Sequence, residues 1–210
     1  MRRLLTLLAL LPLAACALEP DYIHVRHTPV AGVQAIPGAE RIGLQVETRD
    51  ARTANRDRVS VKKNGYGMEM APIIATNDVI AETRQAVIGE FEARGFRIGG
   101  TDGRVEVEVL RFHSEFRAGF WSGVAAADLQ VNVKITDPTG RIVFTRTFTA
   151  EGLNPNIQIA SGENARIALE AGLQRLIRQI GDDPDLARAL MALAPPAPVP
   201  APTAGRRPIS

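Results

Sequence analysis

The run 127–135 constrains this chain more than any other stretch. Ala127, Leu129, Val131, Val133 and Ile135 alternate without a break against Asp128, Gln130, Asn132 and Lys134. Strict alternation has the period of a strand with one buried face and is out of phase with a helix. Asp137-Pro-Thr-Gly140 follows, which is turn chemistry with Pro at the second position. Residues 141–151 then return, with Ile142, Phe144 and Phe148 on one face. Upstream, Val105, Val107 and Val109 share a face, whereas Phe112, Ser114 and Phe116 continue on even positions. That change of parity predicts a bulge or a switch of face at Val109-Leu110. The middle of the chain is therefore an antiparallel meander.

Helical periodicity flanks it. Residues 79–94 place Ile80, Thr83, Val87 and Phe91 on one stripe, behind the candidate caps Asn77, Asp78 and Thr76. Gly95 supplies a left-handed stop. Ser161-Gly-Glu-Asn opens a second helix with the stripe Ala165, Ala168, Leu169, Gly172, Leu173, Leu176, Ile177 and Ile180, closed by Gly181. Residues 182–194 read as a short third helix. Before the first helix, Ile42, Leu44 and Val46 mark a strand over 41–47. Residues 59–63 and 66–70 read as a hairpin turned by Asn64-Gly65. Phe96-Arg-Ile98 begins a further strand, and Gly99-Gly100-Thr101-Asp102-Gly103 is a turn. No helix follows those glycines, so they do not make a phosphate loop. Hairpin-linked strands that do not alternate with helices predict an α+β two-layer sandwich. It should hold a mainly antiparallel sheet of four to five strands, with two main helices on one face.

The termini differ from this domain. Arg2 and Arg3 precede an apolar run over 4–13, the parts of a secretory signal. The run is shorter than the roughly 20 residues that span a bilayer. The pair Arg2-Arg3 lacks the polar surroundings of a twin-arginine signal. Leu13-Ala14-Ala15-Cys16 resembles the lipobox of bacterial lipoproteins, and Cys16 is the only cysteine in the 210 residues. The alternative is an ordinary signal peptide cut without acylation, which leaves a lone exported thiol unexplained. The lipobox reading gives a signal peptide over 1–15, and a lipid on Cys16 heading a flexible tether over 16–40. One α+β domain over 41–194 follows, then a disordered Pro/Ala-rich tail over 195–210. Ala17 stands where retention in the inner membrane commonly needs Asp. By the same resemblance, the destination is the outer membrane, facing the periplasm.

No coherent catalytic set accompanies this address. Ser114 and Ser122 lie near His113, but neither serine has the glycines of a nucleophile elbow. His113 reads as a half-exposed sheet histidine. Glu106 and Glu108 are two residues apart, yet Val105, Val107 and Val109 make them the solvated face of a strand. His24 and His27 lack the Cys, Asp or Glu companions of a metal site and read as tether residues. No cofactor or metal is expected. The chain has 25 basic and 23 acidic residues, and removing 1–15 takes away Arg2 and Arg3. The charges then balance, with no electrostatic footprint for nucleic acid.

Interaction chemistry has more material. Phe116, Phe120 and Trp121 gather at a glycine-flanked loop in a chain poor in aromatics, where an aromatic pair can anchor a protein or touch a membrane interface, or Trp121 simply caps the open end of the core. Tyr66 and Met68 sit in a glycine-rich hairpin that either offers an adaptable surface or closes a sheet edge. A third option is a groove between sheet and helices for a lipid or a peptidoglycan fragment, as in a carrier or accessory protein of an envelope transport system.

Lys62-Lys-Asn-Gly-Tyr-Gly-Met-Glu-Met70 leads into the helix at Asn77, which ends in Glu92-Ala-Arg-Gly-Phe96. With the lipobox and the element order, these residues resemble the YajG-like family of uncharacterised outer-membrane lipoproteins over about 41–180. A looser likeness exists to the small α+β domains of periplasmic assembly proteins. The resemblance implies a fold and a location and carries over no catalytic residues. The expected protein is a non-enzymatic interaction or assembly module. It is held at the membrane by the lipid on Cys16 and presented to an unidentified envelope protein, with its oligomeric state open.

Overall fold

The computed structural model describes residues 18–195 except Ala118, Phe120 and Trp121. Its elements are β1 (Asp21–Ile23), β2 (Gly43–Asp50), β3 (Ser60–Lys63), β4 (Glu69–Ala75), α1 (Val79–Ala93) and β5 (Arg97–Ile98). They continue with β6 (Gly103–Arg117), β7 (Gly123–Thr136), β8 (Ile142–Ile157), α2 (Gly162–Gly181) and α3 (Pro184–Met191). Five strands form one sheet in the order β5-β2-β6-β7-β8, and three form a second in the order β1-β4-β3. The fold is α+β, as the element order predicts. Both sheets are mixed, because β2 runs parallel to β5 and β6, and β1 runs parallel to β4.

The meander follows its alternation. Val105, Val107 and Val109 on β6 lie in one core with Leu129, Val131, Val133 and Ile135 on β7. The other face is polar: Glu106 sits opposite Lys134 and Glu108 opposite Asn132. Lys134 pairs with Glu106 and Arg49 with Glu108. Its hydrogen bond from Arg49 holds the Glu108 carboxyl below the usual carboxylate range, so this carboxylate balances charge and does not carry a proton.

The bulge lies where the parity change puts it. Val109 pairs with Val131 and Arg111 with Gln130, which leaves Leu110 over and turns Phe112 inward opposite Leu129. The bulge also marks a change of neighbour. β2 accompanies β6 as far as Asp50 and Val109. Beyond it, the Ser114 N–H donates to the Val59 carbonyl at 2.8 Å, and Ser60 Oγ donates to the Ser114 carbonyl at 2.7 Å. One curled strand thus joins both sheets. β8 runs on to Ile157, past the expected end at 151, and Ile142 at its start is exposed.

Both long helices pack on the core face. Every residue of the predicted α2 stripe is buried, from Ala165 to Ile180. The Ser161 hydroxyl caps the helix by accepting from the Asn164 N–H. α1 buries Thr83, Val87 and Phe91, with Ile80 half-buried, and is capped by Asp78. Asn77, a second candidate cap, accepts from the Val25 N–H at 3.0 Å and donates to the Val25 carbonyl at 2.8 Å, and Thr76, the third, donates its hydroxyl to the Ile23 carbonyl at 3.1 Å. Gly95 has the expected left-handed φ of 97°. Gly181 does not end α2 by adopting that conformation; it gives room to the Glu90 carboxylate, which a Cβ there would meet at 2.0 Å.

Residues 18–40 depart most from expectation. The sequence reads as a tether here, whereas from Asp21 onward the segment packs on the domain. β1 adds to the small sheet, and Val25 is buried beside the start of α1. The Arg26 N–H donates to Glu170 on α2 at 3.1 Å, and the His27 N–H donates to Glu82 on α1 at 2.7 Å. The Ile36 N–H reaches the carbonyl of Arg94 at 2.9 Å. The segment is a strap across both helices, held by backbone pairing at β1 and Ile36 and by single side chains remote in sequence. The folded unit therefore begins about twenty residues before Arg41.

Candidate interaction surface

The β3–β4 hairpin presents the most exposed aromatic side chain among the described residues, Tyr66. The return strand starts at Glu69, later than expected, so the connection is a loop over 64–68 and not a two-residue turn. Asn64 organises it. Its side-chain oxygen accepts from the N–H groups of Tyr66 and Met68, each at 3.0 Å. Its own N–H donates to the Met68 carbonyl at 3.0 Å, and its carbonyl accepts from Gly67 at 2.9 Å. Gly67 takes a φ of 81°, which favours glycine. The braced loop leaves Tyr66 92% exposed and Met68 59% exposed. Neither side chain closes the core.

The other expected contact residues are placed differently. Phe116 is half-buried and packs against the core, which serves packing more than recognition. Phe120 and Trp121, and Cys16, the expected acylation site, lie outside the described residues.

Asp21 locks the N-terminal strand to the rest. Its carboxylate accepts from the Gly162 N–H, the first of α2, at 2.7 Å and pairs with Lys62 on β3 at 2.9 Å. A carboxylate at a helix N-terminus also meets the positive end of the helix dipole. A Cβ on Gly162 would fall 2.8 Å from that of Asp21, so the glycine lets strand and helix meet.

The alternative of a groove between sheet and helices meets a closed contact where α2 crosses β8, because Gly152 and Gly172 approach backbone to backbone. A cleft of about 390 Å³ opens instead between the strap and the helices, lined in part by His27, Glu90, Arg94, Gln174 and Arg178. Arg94 there is bonded to Glu90 at 2.7 Å and to Asp182 at 2.6 Å. A cleft with paired charges in its wall does not suit an acyl chain. Among the described residues, no group of three or more His, Cys, Asp or Glu is placed to hold a metal ion. None of their helices is long and apolar enough to cross a membrane.

His113 is 8% exposed, not half-exposed, because the small sheet covers this part of β6. Its Nδ1 is buried without a partner. Burial lowers its pKa below the usual 6.5, against an opposing pull from Glu115 and with help from Arg58 and Arg111. His27 is lowered by burial as well, against Glu82 and Glu90. The unfolded chain binds protons at these rings near pH 6.5, and the folded domain binds them only at lower pH. Stability contributed by the neutral rings is present above about pH 6.5 and is lost as the pH falls below it. The urea midpoint should therefore drop between about pH 7.5 and pH 5.5, above the range where carboxylates titrate. A flat midpoint across that interval would contradict the burial of both rings.

No curated protein matches the chain. Among solved structures, a protein from Xanthomonas campestris is 18% identical with a TM-score of 0.52, over 77% of this chain and 91% of its own. A second, described as an uncharacterized protein, is 13% identical with a TM-score of 0.50, over 78% and 97%. The minor lipoprotein from Acinetobacter baumannii is 15% identical with a TM-score of 0.38, over 67% and 91%. At such identities the first two likenesses speak for the fold alone. The family model described as an uncharacterized lipoprotein matches residues 29–191. It covers the strap from residue 29 onward, the five-stranded sheet, β3 and β4 of the small sheet, and α1, α2 and α3, and the chain belongs to this YajG-like family of uncharacterized bacterial lipoproteins.

Proposed function

We propose that this is a non-enzymatic lipoprotein of the outer membrane, anchored through acylated Cys16 and facing the periplasm, which presents a binding surface to another envelope component. The observation that carries this reading is the lone cysteine at the end of Leu13-Ala14-Ala15-Cys16 in a member of a lipoprotein family. Ala17 supports the outer membrane as destination. Stable anchoring takes more than one acyl chain, which is the state that lipoboxes of this kind imply. The polar groups most suggestive of chemistry have structural roles: Glu106 and Glu108 pair with Lys134 and Arg49, and His113 is walled in. On the aromatic side, Phe120 and Trp121 are the proposed partner contacts, since buried aromatic anchors dominate interface energetics.

Crosslinked envelopes test both parts. Cys16→Ser should move the protein out of the membrane fraction or stall its maturation. Phe120→Ala combined with Trp121→Ala should abolish partner capture and leave the anchor and the fold intact. Membrane association that survives Cys16→Ser with the signal removed would end the anchoring reading. Capture that survives the aromatic double variant would end the assignment of the surface.

A further inference from the structure

We infer that the β3–β4 hairpin tip is a second membrane contact, which lays Tyr66 and Met68 into the headgroup region of the same bilayer that holds the lipid on Cys16. The inference rests on the anchored reading above and adds to it an orientation of the domain.

Strand direction carries it. β1 runs parallel to β4 with Asp21 opposite Ile73, so both strands start at the same end of the small sheet. The tip over 64–68 immediately precedes β4 and therefore stands at that end. The chain enters the domain beside the tip.

Covalent reach then limits the distance. Asp21 is fixed by Gly162 and Lys62, so only residues 17–20 separate the lipid from the first fixed strand. Five residues span at most about 18 Å when fully extended. The four residues from Glu69 to Ile73 advance about 13 Å along their strand. The bilayer that receives the lipid is thus within reach of the tip without movement of the domain. Had residues 16–40 been a loose tether, no such constraint would exist.

The surface at this end has matching chemistry. Leu18 is 60% exposed, and Ile159, in the loop that leads to Gly162, is 68% exposed. Tyr66 carries an apolar ring with a polar tip, the chemistry that settles at the membrane–water interface. Asn64 holds the loop in shape, so little order is lost on contact. One tyrosine and one methionine bind a bilayer weakly on their own. The anchor makes their contact intramolecular, at high effective concentration.

The test uses the mature, acylated full-length protein in vesicles of phosphatidylethanolamine and phosphatidylglycerol. Acylation consumes the thiol of Cys16, so an introduced cysteine is the single labelling site. Tyr66→Cys and, separately, Met68→Cys carry an environment-sensitive fluorophore. Pro138→Cys carries the same probe on the β7–β8 turn, at the other end of β8 from Ile157 and the Asp21–Gly162 contact. Vesicles with brominated acyl chains should quench most of the emission at 66 and 68 and leave 138 unaffected. Flotation with the vesicles reads the anchor independently. Protein that floats while all three probes emit alike overturns the membrane contact and leaves the anchor standing. Protein that does not float overturns both. Probes at 66 and 68 that lipid leaves bright, but that envelope protein shields from aqueous iodide, would assign the tip to a protein partner and overturn the inference as well.

Discussion

Leu173→Ala should lower the stability of the domain by about 2–5 kcal/mol, the range for deleting a buried leucine side chain. Leu173 is completely buried in the core cluster, between Leu169 and Leu176 on the same face of α2. α2 is the helix that packs on β6, β7 and β8 together. A side chain at its centre is surrounded on all sides, and the cavity left behind cannot collapse without moving the helix off the meander. The loss is read as a lower urea midpoint at unchanged m-value. Gln179, exposed on the same helix, is the matched control. Gln179→Ala should change the midpoint little, because it removes no packing and helix propensity favours Ala slightly. Equal, small effects at both positions would show that α2 is not packed as described.

Gly152→Ala should cost at least the roughly 1–3 kcal/mol of ordinary overpacking, although it adds only a methyl group. The added carbon would lie 2.0 Å from the Ala168 carbonyl oxygen and 2.2 Å from the Gly172 nitrogen. Both are backbone atoms of α2, so no rotamer change relieves the clash. Relief requires lifting the helix from β8, which also disturbs the contact of Gly172 with Leu129. Gly89→Ala is the contrasting substitution. Its Cβ meets nothing within 4 Å on the open face of α1, and replacing a mid-helix glycine there should stabilise by about 0.5–1 kcal/mol. Thermal unfolding of the two variants should move in opposite directions. A Gly152→Ala variant as stable as the parent would refute the backbone contact between α2 and β8.

Both predictions join features that were readable early with ones that were not. The α2 stripe is read from residue spacing alone, because a 3.6-residue period reports a buried face wherever the helix docks. That the small residues of this stripe sit close to the sheet follows from their size. Which strand they meet does not: Gly152 has no periodic signal, and its role exists only because α2 crosses β8 at that point. The interaction surface divides in the same way. Tyr66 and Met68 are legible as an adaptable pair in a glycine-rich hairpin, but their exposure depends on how Asn64 folds the loop back on itself. Phe116 continues the aromatic run in sequence and faces the core in space, since the bulge at Leu110 reverses which side of β6 turns inward. His113 reads as half-exposed because one strand has one solvent face. It is buried because the small sheet covers that face.

By itself, then, the sequence determined the local and periodic features: the meander, its bulge, two amphipathic helices with their caps, and the motif around Cys16. Each depends on neighbours a few residues apart, where the geometry of strand or helix leaves little choice. Only the tertiary structure decided the strap over 18–40, whose hydrogen bonds join residues as far apart as Arg26 and Glu170 through single polar side chains without any repeat. It also decided the parallel pairing of β1 with β4, and so the end of the domain at which the chain emerges. Strand direction is settled by which backbone edges meet once the core has closed, and no local pattern of side chains records that.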